Sequence, residues 1–97
     1  MAFDMYAEEK HEKIDHHEEY IFSFISESSA SPNLNWLWNN FYNGPTISPE
    51  VANGLVHELI QLKAMVTTPT DHGLIDRLLI FLSFAHLNKI SIRCVSD

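Results

Sequence analysis

His11, His16 and His17 lie in a run that also holds Glu8, Glu9, Glu12, Asp15, Glu18 and Glu19. Imidazoles and carboxylates this close together can ligate a divalent transition metal. A zinc site here would draw on His11, Asp15 and one of His16 or His17. No recognised zinc spacing such as a helical H-E-x-x-H is present, however. The same residues have a structural use, because Asp15-His16-His17-Glu18 has the spacing of a capping box. Asp15 would then accept from the first amides of a helix while Glu18 reaches back to the Asp15 amide. On that reading the run is a solvated helix start, and no cofactor is expected.

The remaining candidates for catalysis are weaker. His57 is adjacent to Glu58, and neighbours in a helix do not face each other. His72 falls in the first turn of an expected helix and His86 in its last turn, so both read as helix-end residues. Cys94 is the single cysteine, and nothing in the spacing pairs it with a histidine. It reads as a small buried hydrophobe in a strand. No G-x-S-x-G, P-loop or dinucleotide fingerprint occurs. The expectation is a protein that is not an enzyme.

Binding is better represented. The formal net charge is −7. Residues 1–27 hold Asp4, Glu8, Glu9, Glu12, Asp15, Glu18, Glu19 and Glu27 against Lys10 and Lys13, a balance of −6. The remainder is close to neutral. Nucleic-acid binding needs the opposite sign and is disfavoured. An acidic flank instead steers a basic protein, with Glu8, Glu9, Glu12, Glu18 and Glu19 as its contact residues. Trp36 either folds under the adjacent loop, against Ile47, or stands exposed as the anchor of that contact. It stands two positions before Trp38, about 200° around a helix, so it projects toward Asn39 and Asn40 while Trp38 joins the buried face.

The elements that must hold these residues can be read from periodicity. Phe3-Asp4-Met5-Tyr6 alternates as a short strand, and Ala7 to Ile14 lacks periodicity and reads as a loop. A first helix over about 16–26 carries Tyr20, Ile21, Phe24 and Ile25, and a breaker cluster from Ser28 to Asn33 follows. Leu34, Leu37, Trp38, Phe41 and Tyr42 then mark one face of a second helix, ending at Asn43-Gly44-Pro45. Ser48-Pro49-Glu50 opens a third, with Val51, Leu55, Leu59 and Leu62 as its buried stripe. Val66-Thr67-Thr68-Pro69 ends that helix, and Thr70-Asp71 begins a fourth. The fourth is apolar nearly all round and belongs at the centre of the domain. Ile90 to Val95 alternates as a closing strand. The expected fold is α+β, with about four helices packed on a small sheet formed by the N- and C-terminal strands.

Ninety-seven residues make a single domain, 1–97, without a second lobe to enclose a deep cleft. The start has no basic region followed by an apolar stretch, so a secretory signal is not expected. The longest aliphatic and aromatic run, Leu78 to Leu82, is far short of a membrane span, so no membrane partner is expected. One cysteine allows no internal disulfide and fits a reducing, cytoplasmic location. Strand edges left open could pair across a two-fold axis to give a homodimer.

With this strand–helices–strand order, the chain resembles small bacterial immunity proteins, which protect a cell from its own polymorphic or contact-dependent toxins. Phe3-Asp4-Met5-Tyr6, Phe41-Tyr42-Asn43-Gly44-Pro45 and Cys94-Val95-Ser96-Asp97 carry the resemblance, which in layout runs end to end. It implies a non-enzymatic, acidic, cytosolic protein that blocks a toxin by binding it. It assigns no functional residue to this chain.

Overall fold

A computed structural model describes residues 2–24 and 31–96, with the side chains of Ala2, His16, Tyr20, Ser23 and Phe24 outside that description. Strand β1 (Ala2–Ala7) turns directly into β2 (Lys10–Asp15), and a 3-10 helix (His16–Phe24) follows. Helix α1 (Pro32–Asn39) passes into a 3-10 turn (Phe41–Asn43) and the two-residue strand β3 (Thr46–Ile47). Helices α2 (Pro49–Met65) and α3 (Pro69–Leu87) form a hairpin, and β4 (Ile92–Ser96) ends the chain. The fold is α+β, three α-helices packed on a four-stranded sheet among the described residues.

The sheet order is β2-β1-β4-β3, with every neighbouring pair antiparallel. The terminal strands pair as expected, Met5 opposite Cys94 and Tyr6 opposite Arg93. The stretch expected as a loop over Ala7 to Ile14 is instead most of a hairpin, with Phe3 opposite Ile14 and Ala7 opposite Lys10. Two features conceal it in the sequence. Only Ile14 of β2 is apolar and buried, so no alternation marks the strand. The Glu8-Glu9 turn also lacks the Asn, Asp or Gly usual in two-residue loops, and Glu8 adopts a positive φ of 56°.

The first helix is a 3-10 helix to Phe24, and the expected residues 25 and 26 lie outside the described region, as does the Ser28–Ala30 part of the breaker cluster. In α2, the Ser48 side chain accepts from the Val51 amide with Pro49 in the first turn, as Ser-Pro predicts. Thr68-Pro69 repeats the device: Thr68 Oγ1 accepts from the Asp71 amide. Pro69 therefore opens α3 rather than ending α2, because a proline lacking an N–H is tolerated where amides have no helical partner. Lys89 closes α3 with φ 56°, its amide donating to the His86 carbonyl and that of Ile90 to the Ala85 carbonyl. This is a Schellman end with lysine where glycine is usual.

The inner sheet face supplies Phe3, Met5, Ile14, Ile47, Ile92 and Cys94 to the core. Leu55, Leu59 and Leu62 of α2 and Ile75, Leu78 and Leu82 of α3 meet them. The other sheet face is polar, with Asp4, Tyr6, His11 and Arg93 along it. Helix α3 is not surrounded. The sheet and α2 cover two of its sides, and Ile80 and Leu87 remain 74% and 77% exposed on the third. A chain this short lacks the material to enclose a helix that is apolar all round.

Candidate functional site

The hairpin distributes the acidic flank along its length. Glu8 and Glu9 are exposed at its turn, while Glu18 and Glu19 follow the far end of β2, about 20 Å away for a strand of this length. Glu12 and Glu18 are engaged by one cation from α3. Arg77 Nη2 lies 3.2 Å from both Glu18 carboxylate oxygens, and Nε lies 3.6 Å from Glu12. Glu18 is buried and also accepts from the Asp15 amide at 3.0 Å, the expected return half of the capping box. Glu8 and Glu9 are the exposed members of the set, while Glu19 is half-buried and accepts from the Tyr42 hydroxyl.

Arg77 also donates to the Lys13 carbonyl, and the Lys13 amide donates to Glu12. These contacts, with the Asp15 amide on Glu18, occupy backbone groups along the outer edge of β2. An added strand would have to displace them.

The histidines separate in space. His11 Nε2 lies 2.9 Å from Asp4 on the polar sheet face, and its ring stacks on Tyr6. His17 instead groups with Asp15 and Glu18, their ligating atoms within 4.8 Å of one another. The His16 side chain lies outside the description. The zinc grouping of His11 with Asp15 and His17 is thus not assembled, and Glu18 takes the place of His11. Lys13 Nζ sits 3.3 Å from Asp15 and Arg77 rests on Glu18, so a metal ion would compete with two cations for these carboxylates. His72 Nε2–H donates to the Val66 carbonyl and His86 Nδ1–H to the Pro49 carbonyl, both tying helix ends to their surroundings. Cys94 is buried in β4, and burial pushes its thiol pKa up to about 12, which removes it as a nucleophile near neutrality.

Helix α1 presents the aromatic surface. Its buried residues are Leu34 and Leu37, continued by Phe41, and both tryptophans lie at the border. Trp36 is 36% exposed and Trp38 40%, so the expected contrast between a buried Trp38 and a projecting Trp36 is not found. Leu34, Leu37 and Phe41 hold the centre of the buried face, and Trp38, about 100° around the axis from Leu37, falls at its border, while Tyr42 is 54% exposed. Trp38 stacks on Phe22 at 4.8 Å and tilts against Phe41, whose ring stacks on Phe3 in the core. The Tyr42 hydroxyl donates to Glu19 at 2.5 Å, and that carboxylate holds the phenol pKa above its usual value. The result is a half-exposed shelf of Trp38 and Tyr42 with an acid at its border.

No family model, curated protein or solved structure matches this chain. No relative therefore assigns a role to any of these residues.

Two residues that position this surface were not singled out from sequence. Glu58 of α2 is buried and accepts three hydrogen bonds at the start of α1, from the Asn33 amide, the Asn33 side chain and the Leu34 amide, at 3.1, 2.7 and 2.8 Å. Ser31, the residue in the N-cap position, provides no side-chain cap. Glu58 supplies the acceptor from a different helix, which no local pattern reveals. Arg77 did leave a signal, as the last charged residue before the uncharged run from Leu78 to Asn88. A cation at the border of such a helix calls for an anionic partner.

A shallow cleft of about 210 Å³ runs between β2 and α3, bordered by Lys10, Glu12, Arg77, Ile80 and Phe84. It falls below the roughly 300–1,000 Å³ of small-molecule sites. Among the described residues no helix is long and apolar enough to cross a membrane.

Proposed function

We propose that this chain is a non-enzymatic protein-binding module that neutralises a basic bacterial toxin domain by direct binding in the cytoplasm. The observation that carries the reading is the Trp38–Tyr42 shelf beside Glu19, half-exposed on a core-anchored aromatic stack. Indole and phenol rings next to a carboxylate suit Lys and Arg side chains, which gain cation–π attraction and charge together. Trp and Tyr are also enriched among residues that dominate interface energies, and fixed rings lose little freedom on binding. Trp36, about 200° around α1 from Trp38, lies away from this shelf, and Glu8 and Glu9 contribute to long-range attraction from the hairpin turn. The overall charge of −7 favours a basic partner and disfavours nucleic acid. The test is co-expression with the protein encoded beside it. Rescue of growth by the wild-type chain, lost in Glu19→Lys/Tyr42→Ala, supports the reading; no rescue, or rescue unchanged by those substitutions, contradicts it.

A second reading, a divalent metal site, has the Asp15–His17–Glu18 grouping in its favour. It predicts a thermal shift with stoichiometric Zn²⁺ that disappears in His17→Ala. The Arg77 contact with Glu18 weighs against it.

A further inference from the structure

Helix α3 carries an apolar stripe that the described residues do not cover. Gly73, Ile80 and Leu87 are spaced by seven residues, which returns to within about 20° of the same direction on a helix. All three are exposed, and a Cβ on Gly73 would meet nothing within 4 Å. Phe84, partly buried under Lys10, flanks the stripe on one side and Ser83 on the other. The other exposed aliphatics of the helical hairpin, Ile60 and Met65, are five residues apart and point about 140° away from each other, so they form no stripe.

We infer that this stripe is the contact surface for a second copy of the chain, docked antiparallel about a two-fold axis between positions 83 and 84. The Ile80–Leu87 pair is its own complement when reversed, and Gly73 lies beyond the paired positions. Ile80 and Leu87 are equidistant from that axis, so each meets the other across it, and Phe84 lies beside its counterpart. The charges beside this pair also match: Asp76 precedes Ile80 and Lys89 follows Leu87, so reversal brings acid toward base. The half-exposed Asp76 already holds Lys63 at 2.6 Å and has a second oxygen to offer. Charge around the stripe is nearly balanced, Lys10, Arg77 and Lys89 against Glu12 and Asp76, so the −7 charge of each copy is least opposed to association here. Strand pairing is the less favourable route, because side chains occupy the outer edge of β2. The α3 surface is also separate in sequence and element from the Trp38–Tyr42 shelf, so self-association leaves partner binding open.

The test is the mass of the full chain in solution across a concentration series, measured by sedimentation or light scattering. The expected result is a monomer–dimer equilibrium, shifted to monomer in Ile80→Asp/Leu87→Asp with unchanged far-UV circular dichroism. Ser83→Cys should form an intermolecular disulfide on oxidation, while Gln61→Cys on the exposed side of α2 should not. The Ser83→Cys result decides the question if the double variant fails to fold. A monomer at every concentration, an equilibrium unaffected by the double variant, or equal cross-linking at both positions overturns the inference.

Discussion

Replacing Glu58 with alanine tests whether the aromatic surface is held by a long-range cap. The substitution removes the acceptor for three donors at the start of α1. The Leu34 amide is the buried one, and a buried donor left without an acceptor costs about 1–3 kcal/mol. Water can reach the two partly buried Asn33 groups, so each lost bond there costs about 0.5–1.5 kcal/mol. Removing a buried carboxylate recovers part of its desolvation penalty. The net loss is therefore about 2–4 kcal/mol, or a fall of roughly 10–25 °C in Tm for a domain of this size. Tryptophan emission reports the site directly, because both tryptophans of the chain lie on α1. Glu58→Ala should shift that emission to the red under native conditions and lower the urea midpoint. Glu58→Gln, which keeps one acceptor oxygen, should fall between alanine and wild type. A Glu58→Ala protein within about 0.5 kcal/mol of wild type, the range of an ordinary surface change, refutes the reasoning.

The same cap makes Gly54 sensitive, since a Cβ there would lie 2.3 Å from Asn33 Nδ2. Gly54→Ala should destabilise the wild type but stabilise an Asn33→Ala background by about 1 kcal/mol, the helix preference of alanine over glycine; equal effects in both backgrounds would sever the link. Lys89→Gly should raise stability by about 0.5–1 kcal/mol, because glycine adopts the positive φ of the Schellman end without a Cβ penalty; an unchanged thermal midpoint contradicts this. Cys94 predicts an alkaline loss of stability. Its thiol is held neutral in the fold, so its contribution is complete below pH 9.0 and is lost as pH rises toward about 12. Denaturation midpoints over that range should decline less steeply in Cys94→Ala, and parallel declines would assign the effect to other groups.

Much of this architecture was legible in the sequence where local chemistry decides it. Ser48-Pro49 opened α2 because cap and proline act within one turn, and the terminal strands announced themselves by alternation. The return arm of the capping box at Glu18 was legible for the same reason. Strand β2 was not, because an edge strand with one buried side chain has no reason to alternate. The acidic run could be counted along the chain, but its division in space was invisible. Arg77 lies 59 residues from Glu18 and only the tertiary fold brings them together. Likewise, helical spacing placed Trp38 on the buried arc, whereas Leu34, Leu37 and Phe41 fill that arc and leave Trp38 at its border, stacked on Phe22.

The Trp38–Tyr42–Glu19 surface is proposed to receive a basic protein. Capture from native lysate on immobilised wild-type chain, beside the Glu19→Lys/Tyr42→Ala variant with matching circular dichroism, tests it most directly. The expected result is one protein of basic isoelectric point retained by the wild type at low salt, diminished at high salt and absent from the variant. Retention of the same protein on both, or of an acidic protein insensitive to salt, would contradict it.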